Sequence, residues 1–251
     1  MTVEIDSVWV KLAVSDGTRM RAYSAQPRAG DAAAGLMVFQ EAFGVNAHIR
    51  DVTERFAREG YSALAPEIYH RNGDAFECDY SHFEPAMKQI QSLTDAGLEA
   101  DIKACHEFLV TDSMTCGKLP AAVGYCLGGR VAFLANAVVP LAASVSFYGG
   151  GIAPGPRGPG LLDRAGALHG PLMMIWGGKD QHIPPEQGRA VAGALRDAGK
   201  TFIHSEFSDA DHAFFCDMRP SYHAPSAKVA WAMTLEFLAA YRKGSDERTP
   251  A

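Results

Sequence analysis

Short apolar segments alternate with longer amphipathic segments along most of this chain. Apolar runs of this kind are typical of strands that are buried on both faces of a parallel sheet. Between two of them, Ile49, Val52 and Phe56 share one helical face, and Gly60 ends that helix. The alternation predicts an α/β fold with a mostly parallel central sheet and helices on both faces. The three most apolar runs are "GLMVF", "AAVGY" and "PLMMIW".

The other segments extend this pattern to both ends of the chain. "VWVKLAV" and "RMRAYSA" flank "SDG" and predict an N-terminal β-hairpin. The Gly- and Pro-rich residues 149–170 predict a long loop. No repeat or linker interrupts the pattern, so we expect one domain over residues 1–251, with a frayed tail at 244–251. Further strands are expected at "YSALAP", "AASVSFYGG" and "TFIHSEF", and further helices within 84–111, at "RVAFLANAV", "EQGRAVAGALRDAG" and "SAKVAWAMTLEFLAAYRK".

Composition and charge exclude several classes of protein. The chain has 251 residues, of which 47% are hydrophobic, so it can bury a sizeable core. A net charge of −6 gives no reason to expect a nucleic acid or an anionic membrane as partner. No apolar run reaches transmembrane length, and "MTVEIDSVWV" lacks the features of a signal peptide. We therefore expect a soluble, cytoplasmic protein.

The cysteines do not form a structural framework. There are five of them, an odd number, and no CxxC pair occurs. Neither HExxH nor a Cys/His cluster with zinc-ligand spacing is present, so no metal or other cofactor is expected. Most of these thiols should be small buried hydrophobic side chains.

One cysteine stands where a strand passes into a helix. The site of a parallel α/β sheet lies at the carboxyl ends of its strands, and "GYCLGG" follows the end of such a strand. Gly124 and Gly128 flank Cys126 at the spacing of a nucleophile elbow, whose sharp turn needs small residues there. A helix N-terminus at this point favours the thiolate. Taken alone, the pattern also fits a turn with a buried cysteine.

Two more strand ends carry polar side chains that complete a catalytic set. Asp180 follows "PLMMIWGG", and His212 follows "TFIHSEF". Each residue alone is more often structural, since aspartate forms turns and caps. The order Cys126, Asp180, His212 is the nucleophile–acid–histidine order of α/β-hydrolases. The sequence therefore predicts a Cys–His–Asp triad on an α/β-hydrolase fold.

These motifs together resemble the dienelactone hydrolase family of α/β-hydrolases. The similarity runs from about Leu36 to His223 and is carried by "FQEAFGVNAHIRDVTERFAREGYSALAPEIYHR", "GYCLGG", "GGKDQHIP" and "DHAFF…RPSYH". Members hydrolyse an enol lactone, dienelactone, to maleylacetate in bacterial degradation of aromatic compounds. The resemblance implies a small-molecule lactone or ester as substrate, with Cys126 as nucleophile, His212 as general base and then acid, and Asp180 as its orienter.

The resemblance also assigns roles near the strand end at "LMVFQ". In the family, the glutamate that matches Glu41 interacts with the resting thiol and is displaced when substrate binds. A solvated glutamate is the alternative at this position. The backbone N–H groups of Ala42 and Leu127 are then expected to form the oxyanion hole.

The chain departs from the family in the arginines that hold the carboxylate of dienelactone. One is expected four residues after the catalytic histidine, where this chain has Cys216, and no arginine occurs from Asn72 to Gly129. Arg71 and Arg219 are left as candidate substrate-binding residues. The sequence thus predicts a cysteine-dependent hydrolase of activated lactones or esters. A thioesterase, or a non-catalytic protein that binds a small molecule or senses oxidants through its thiol, is the alternative.

Overall fold

The chain folds around one eight-stranded sheet. The computed structural model describes residues 3–242 except 29, 31, 33, 113, 116, 156 and 157, so the expected frayed tail lies outside the described residues. The strand order across the sheet is β1-β2-β4-β3-β5-β6-β7-β8. The strands are β1 (Ile5–Ala13), β2 (Arg19–Pro27), β3 (Gly35–Phe39), β4 (Ser62–Pro66), β5 (Ala121–Tyr125), β6 (Ser144–Phe147), β7 (Leu172–Gly177) and β8 (Phe202–Phe207).

Within the described residues, six α-helices lie between and after these strands. None of the described helices is long and apolar enough to cross a membrane. The helices are α1 (Ala47–Arg58), α2 (Phe83–Ser92), α3 (Asp95–Thr111), α4 (Leu127–Val138), α5 (Pro185–Asp197) and α6 (Ala224–Tyr241), and short 3₁₀ turns cover His70–Asn72 and Leu162–Ala167.

The pairing of the strands confirms the predicted fold class. β1 and β2 form an antiparallel hairpin, and β2 joins the sheet antiparallel to β4. From β4 to β8 every neighbouring pair is parallel. All residues of β3, β4, β5 and β6 are buried. Because successive side chains of a strand point to opposite faces, both faces of the sheet are covered, and the parallel strands end at one common edge.

The helical material expected within 84–111 forms two helices. α2 ends at Ser92 because Leu93 takes an extended conformation, with ψ of 139°. The Thr94 side chain then accepts a hydrogen bond from the N–H of Gly97 and caps the first turn of α3. The expected loop over 149–170 contains the 3₁₀ turn at Leu162–Ala167. Two of the cysteines, Cys105 and Cys216, are buried as expected, and Cys116 lies outside the described residues.

Candidate active site

Cys126 is the single residue between β5 and α4. Its φ of 56° and ψ of −115° are unusual for a residue with a side chain, and such strain is concentrated at functional sites. The turn is tight enough to need two glycines. A Cβ on Gly124 would lie 1.8 Å from the carbonyl oxygen of Gly128, and a Cβ on Gly128 would lie 2.2 Å from that of Phe39. The local geometry is therefore that of a nucleophile elbow.

The structure brings the three expected triad side chains together. Nε2 of His212 lies 3.2 Å from Sγ of Cys126, and Nδ1 of His212 lies 2.7 Å from Oδ2 of Asp180. The other carboxylate oxygen, Oδ1 of Asp180, accepts hydrogen bonds from the backbone N–H groups of His182 and Ile183. The aspartate is thus fixed from both sides, and it holds the imidazole facing the thiol.

The electrostatics of this set favour a charged imidazole. Burial by itself lowers the pKa of His212, since the side chain is 11% exposed. The negative charge on Cys126 and the hydrogen bond that His212 donates to Asp180 outweigh burial and raise the pKa of His212 from 6.5 to about 10. The His212 imidazole can therefore carry a proton beside a negatively charged Cys126 sulfur.

Glu41 lies at the end of β3 and is completely buried. Neither of its carboxylate oxygens has a hydrogen-bond partner among the described residues, and the thiol of Cys126 is paired with His212 rather than with Glu41. Burial raises the pKa of Glu41, while the positive charges of Arg219 and His212 lower it. The charge on Glu41 is therefore coupled to the charge on the triad histidine, and a solvated glutamate is excluded at this position.

The two expected oxyanion donors come from the segments that follow β3 and β5. Ala42 is buried directly after Glu41, and Leu127 is the first residue of α4. Among the described residues, neither backbone N–H donates a hydrogen bond to a protein acceptor. Both N–H groups are therefore free to donate to a ligand, and their role as an oxyanion hole stays a prediction.

The two candidate arginines have different surroundings. Nη1 of Arg219 lies 3.7 Å from Oε1 of Glu41, and its guanidinium lies over the rings of Phe43 and Tyr80. Its side chain is 21% exposed and makes no hydrogen bond within the described part of the chain, so it can accept an anion.

Arg71, by contrast, is fully engaged in structural contacts. It donates to Asp16, to both oxygens of Asp101 and to the carbonyl of Gly97. These bonds tie the N-terminal hairpin to α3. We therefore do not include Arg71 in the proposed site.

Two tyrosines were not singled out from the sequence, one beside His212 and one beside Arg219. Tyr148 follows β6 with a φ of 38°, is fully buried, and places its ring centroid 5.2 Å from that of His212. The position of Tyr148 directly after the end of β6 was the sequence signal that could have identified it. Tyr80, which hydrogen-bonds Asn46 and contacts Cys216, comes from a loop that carried no motif.

A mostly parallel sheet with a Cys, Asp and His set in this order at its strand ends defines an α/β-hydrolase. In the part of the chain that the structure describes, no cluster of three His, Cys, Asp or Glu could hold a metal ion. The model of the dienelactone hydrolase family matches residues 20–242, and the chain belongs to this family. Membership confirms the expected enzyme class, a hydrolase of ester or lactone bonds.

Individual relatives support the same assignment. Two similar proteins carry the provisional name carboxymethylenebutenolidase. The one from Synechocystis sp. is 34% identical and covers 92% of this chain and 95% of its own length. The one from Salmonella typhimurium is 36% identical and covers 90% of this chain and 85% of its own length. A crystal structure from Klebsiella pneumoniae, provisionally named a dienelactone hydrolase, superimposes with a TM-score of 0.84 at 32% identity and covers 95% of this chain and 100% of that one.

Proposed function

We propose that the protein hydrolyses activated lactones or esters, of which enol lactones are one class, through a covalent acyl-enzyme on Cys126. The observation that carries this proposal is the unbroken series of contacts from the thiol through His212 to Asp180. A protein that only binds a small molecule, or only senses oxidants, has no need for an aspartate-oriented histidine behind its thiol.

In the acylation step, the Cys126 thiolate attacks the carbonyl carbon and forms a tetrahedral intermediate. The backbone N–H groups of Ala42 and Leu127 stabilise the oxyanion. The intermediate collapses, the C–O bond of the ester breaks, and the His212 imidazolium donates its proton to the departing oxygen. In a lactone this oxygen stays attached to the acyl group, so ring opening leaves the whole substrate on the enzyme.

In the deacylation step, neutral His212 acts as general base toward a water molecule. The water attacks the thioester carbon, and its proton passes to Nε2 of His212. Collapse of the second tetrahedral intermediate expels the Cys126 thiolate and releases the carboxylic acid product. The thiolate–imidazolium pair is then restored, with Asp180 holding the same tautomer throughout.

The nucleophile and its surroundings narrow the class of substrate. A thiolate attacks well near neutral pH, but it is itself a good leaving group. Forward reaction therefore requires an alcohol that leaves easily, such as an enol or a phenol. Arg219, the cation next to Glu41, is the side chain that can attract a substrate carboxylate.

Replacement of triad residues tests this proposal. With p-nitrophenyl acetate and a panel of enol lactones, Cys126→Ala and His212→Ala should each lower kcat/KM by at least about a thousandfold, because the triad acts as a unit. His182→Ala is the matched control, since the ring of His182 lies 5.3 Å from that of His212 but takes no part in the triad. Activity of either triad variant within about tenfold of the wild type would refute the assignment.

A further inference from the structure

The turn that follows β3 has its carbonyl oxygens engaged and one N–H group left free. Ala42 lies in this turn and is buried, and its N–H donates to no protein acceptor among the described residues. The carbonyl oxygens of Glu41, Ala42 and Phe43 each accept a hydrogen bond. Contacts on three successive carbonyls therefore fix the path of the turn, while the N–H of Ala42 stays available to a ligand.

The first of these contacts comes from the side chain of Gln40. Its amide nitrogen Nε2 donates to the carbonyl oxygen of Glu41 over 3.2 Å. That carbonyl and the N–H of Ala42 belong to one peptide group, which is planar and trans, so the two point in opposite directions. A rotation of this peptide that turned the N–H away would also break the bond to Gln40. The amide of Gln40 therefore holds the direction of the N–H.

This bond is the one polar contact that Gln40 makes in the described structure. Its side chain is completely buried, and its oxygen Oε1 has no hydrogen-bond partner among the described residues. A buried acceptor that is left unpaired destabilises a fold, and an apolar side chain of the same shape is often as stable. Stability alone therefore does not account for an amide at this position.

A second side chain holds the next peptide group. Tyr69 follows the end of β4 and is buried, and its hydroxyl donates to the carbonyl oxygen of Ala42 over 3.1 Å. Burial raises the pKa of Tyr69, as does the charge of Cys126 nearby, so the hydroxyl keeps its proton and remains a donor. With both flanking peptides held, the backbone dihedral angles of Ala42 are fixed as well.

The residues that lead into this turn pack against the elbow. A Cβ on Gly128 would lie 2.2 Å from the carbonyl oxygen of Phe39 and 2.6 Å from that of Gln40. The first turn of α4 thus touches the backbone that leads to Ala42. The two segments that carry the expected oxyanion donors are therefore in direct contact.

We propose that Gln40 and Tyr69 are positioning residues of the oxyanion hole, which hold the N–H of Ala42 in the direction that the tetrahedral intermediate requires. This inference rests on the proposed function, in which that N–H stabilises the oxyanion. Neither side chain needs to touch the substrate. Their contribution is that the peptide does not have to reorient when negative charge develops, which is the advantage of a preorganised donor.

Two substitutions remove the donors with little change of shape. Tyr69→Phe deletes only the hydroxyl, and Gln40→Met replaces the amide by an apolar chain of similar length. Loss of a whole oxyanion donor costs about a hundredfold to a thousandfold in kcat, so loss of its positioning should cost less. For p-nitrophenyl acetate we expect kcat to fall by about tenfold or more in Gln40→Met and by about threefold or more in Tyr69→Phe. KM should stay nearly unchanged, because the lost interaction is made only in the transition state.

Alkylation of Cys126 by iodoacetamide separates positioning from a general structural role. This reaction displaces iodide from a saturated carbon, so it requires the thiolate but no oxyanion hole. Its rate, assigned to Cys126 by mass spectrometry, should stay within about twofold of the wild type in both variants. A substitution that disturbs the elbow or the triad would instead slow alkylation and hydrolysis together.

Tyr61→Phe is the matched control. Tyr61 is also buried and directly precedes β4, whereas Tyr69 follows the other end of the same strand. Tyr61→Phe loses the same chemical group away from the turn at Ala42, and it should hydrolyse the ester at the wild-type rate. Thermal unfolding of each variant verifies that it is folded at the assay temperature.

The possible failures can be told apart. An unchanged kcat in Gln40→Met or in Tyr69→Phe would overturn the role of that residue, and so would a parallel loss of alkylation and hydrolysis. If the proposed function itself were wrong, Cys126→Ala would keep its hydrolytic activity. If only this inference were wrong, Cys126→Ala would be inactive while the two positioning variants kept the wild-type kcat.

Discussion

The charge state of His212 can be tested by removing the charge beside it. Sγ of Cys126 and Oδ2 of Asp180 lie next to the two ring nitrogens of His212. Burial opposes the charged form of this ring, but the two neighbouring groups outweigh it and raise the pKa of His212 to about 10. Cys126→Ala removes the negative charge at 3.2 Å and leaves the rest of the triad in place. We expect the imidazole to lose its proton at a much lower pH in this variant.

The size of this change follows from the separation of the two groups. Two unit charges 3.2 Å apart interact by about 5 kcal/mol at an effective dielectric constant of about 20. This corresponds to about three to four pH units. His212 in Cys126→Ala should therefore titrate between about pH 6 and 7, whereas the wild-type imidazolium persists through neutral pH and is lost as the pH rises through about 10.

NMR of the ring nitrogens, with ¹⁵N-labelled histidine and spectra from pH 5 to 11, measures both values directly. Asp180→Asn provides a second comparison, because it removes the other contribution that raises the pKa and keeps the thiolate. It should lower the titration point by less than Cys126→Ala does. A wild-type His212 that titrates near 6.5, and does not change in Cys126→Ala, would refute the ion pair.

Three further predictions concern the elbow, the buried glutamate and the substrate. Gly128→Ala should destabilise the fold by about 2 kcal/mol or more in denaturant unfolding. The control Gly193→Ala should stabilise it by about 0.5–1 kcal/mol, because a Cβ there would meet no atom within 4 Å. Equal effects of the two substitutions would contradict the tight elbow. Glu41→Gln should speed alkylation of Cys126 by iodoacetamide, read by mass spectrometry, because a negative charge near the triad opposes the thiolate; an unchanged or slower rate would show that Glu41 does not restrain the thiol. Dienelactone should bind weakly, and Arg219→Gln should raise its KM without changing that of p-nitrophenyl acetate; a wild-type KM in the low micromolar range would contradict the absence of an arginine clamp.

The fold was predictable because its signals are local. The apolar runs of β3, β5 and β7 and the face formed by Ile49, Val52 and Phe56 report burial directly. Helical material was expected within 84–111, but the boundary between α2 and α3 was not located. Its signal was present in Thr94, a residue type that commonly caps a helix.

The site was predictable only in part. Cys126, Asp180 and His212 follow strand ends in a recognisable order, so topology brings them to one edge of the sheet. The surroundings of Arg71 and Arg219 were not predictable, because Asp101 and Glu41, their respective carboxylate partners, lie far away along the chain. The complete burial of Glu41 likewise depends on packing from several segments rather than on its own neighbours in sequence.

Detection of the acyl-enzyme is the most direct test of the proposed chemistry. The enzyme is mixed with p-nitrophenyl acetate, quenched in acid within the first turnover, digested and mapped by mass spectrometry. The account predicts one acetyl group on Cys126, bound as a thioester that hydroxylamine removes, and no adduct in Cys126→Ala. A wild type that turns over this ester with Cys126 unmodified, or with the acetyl group on another residue, would contradict it.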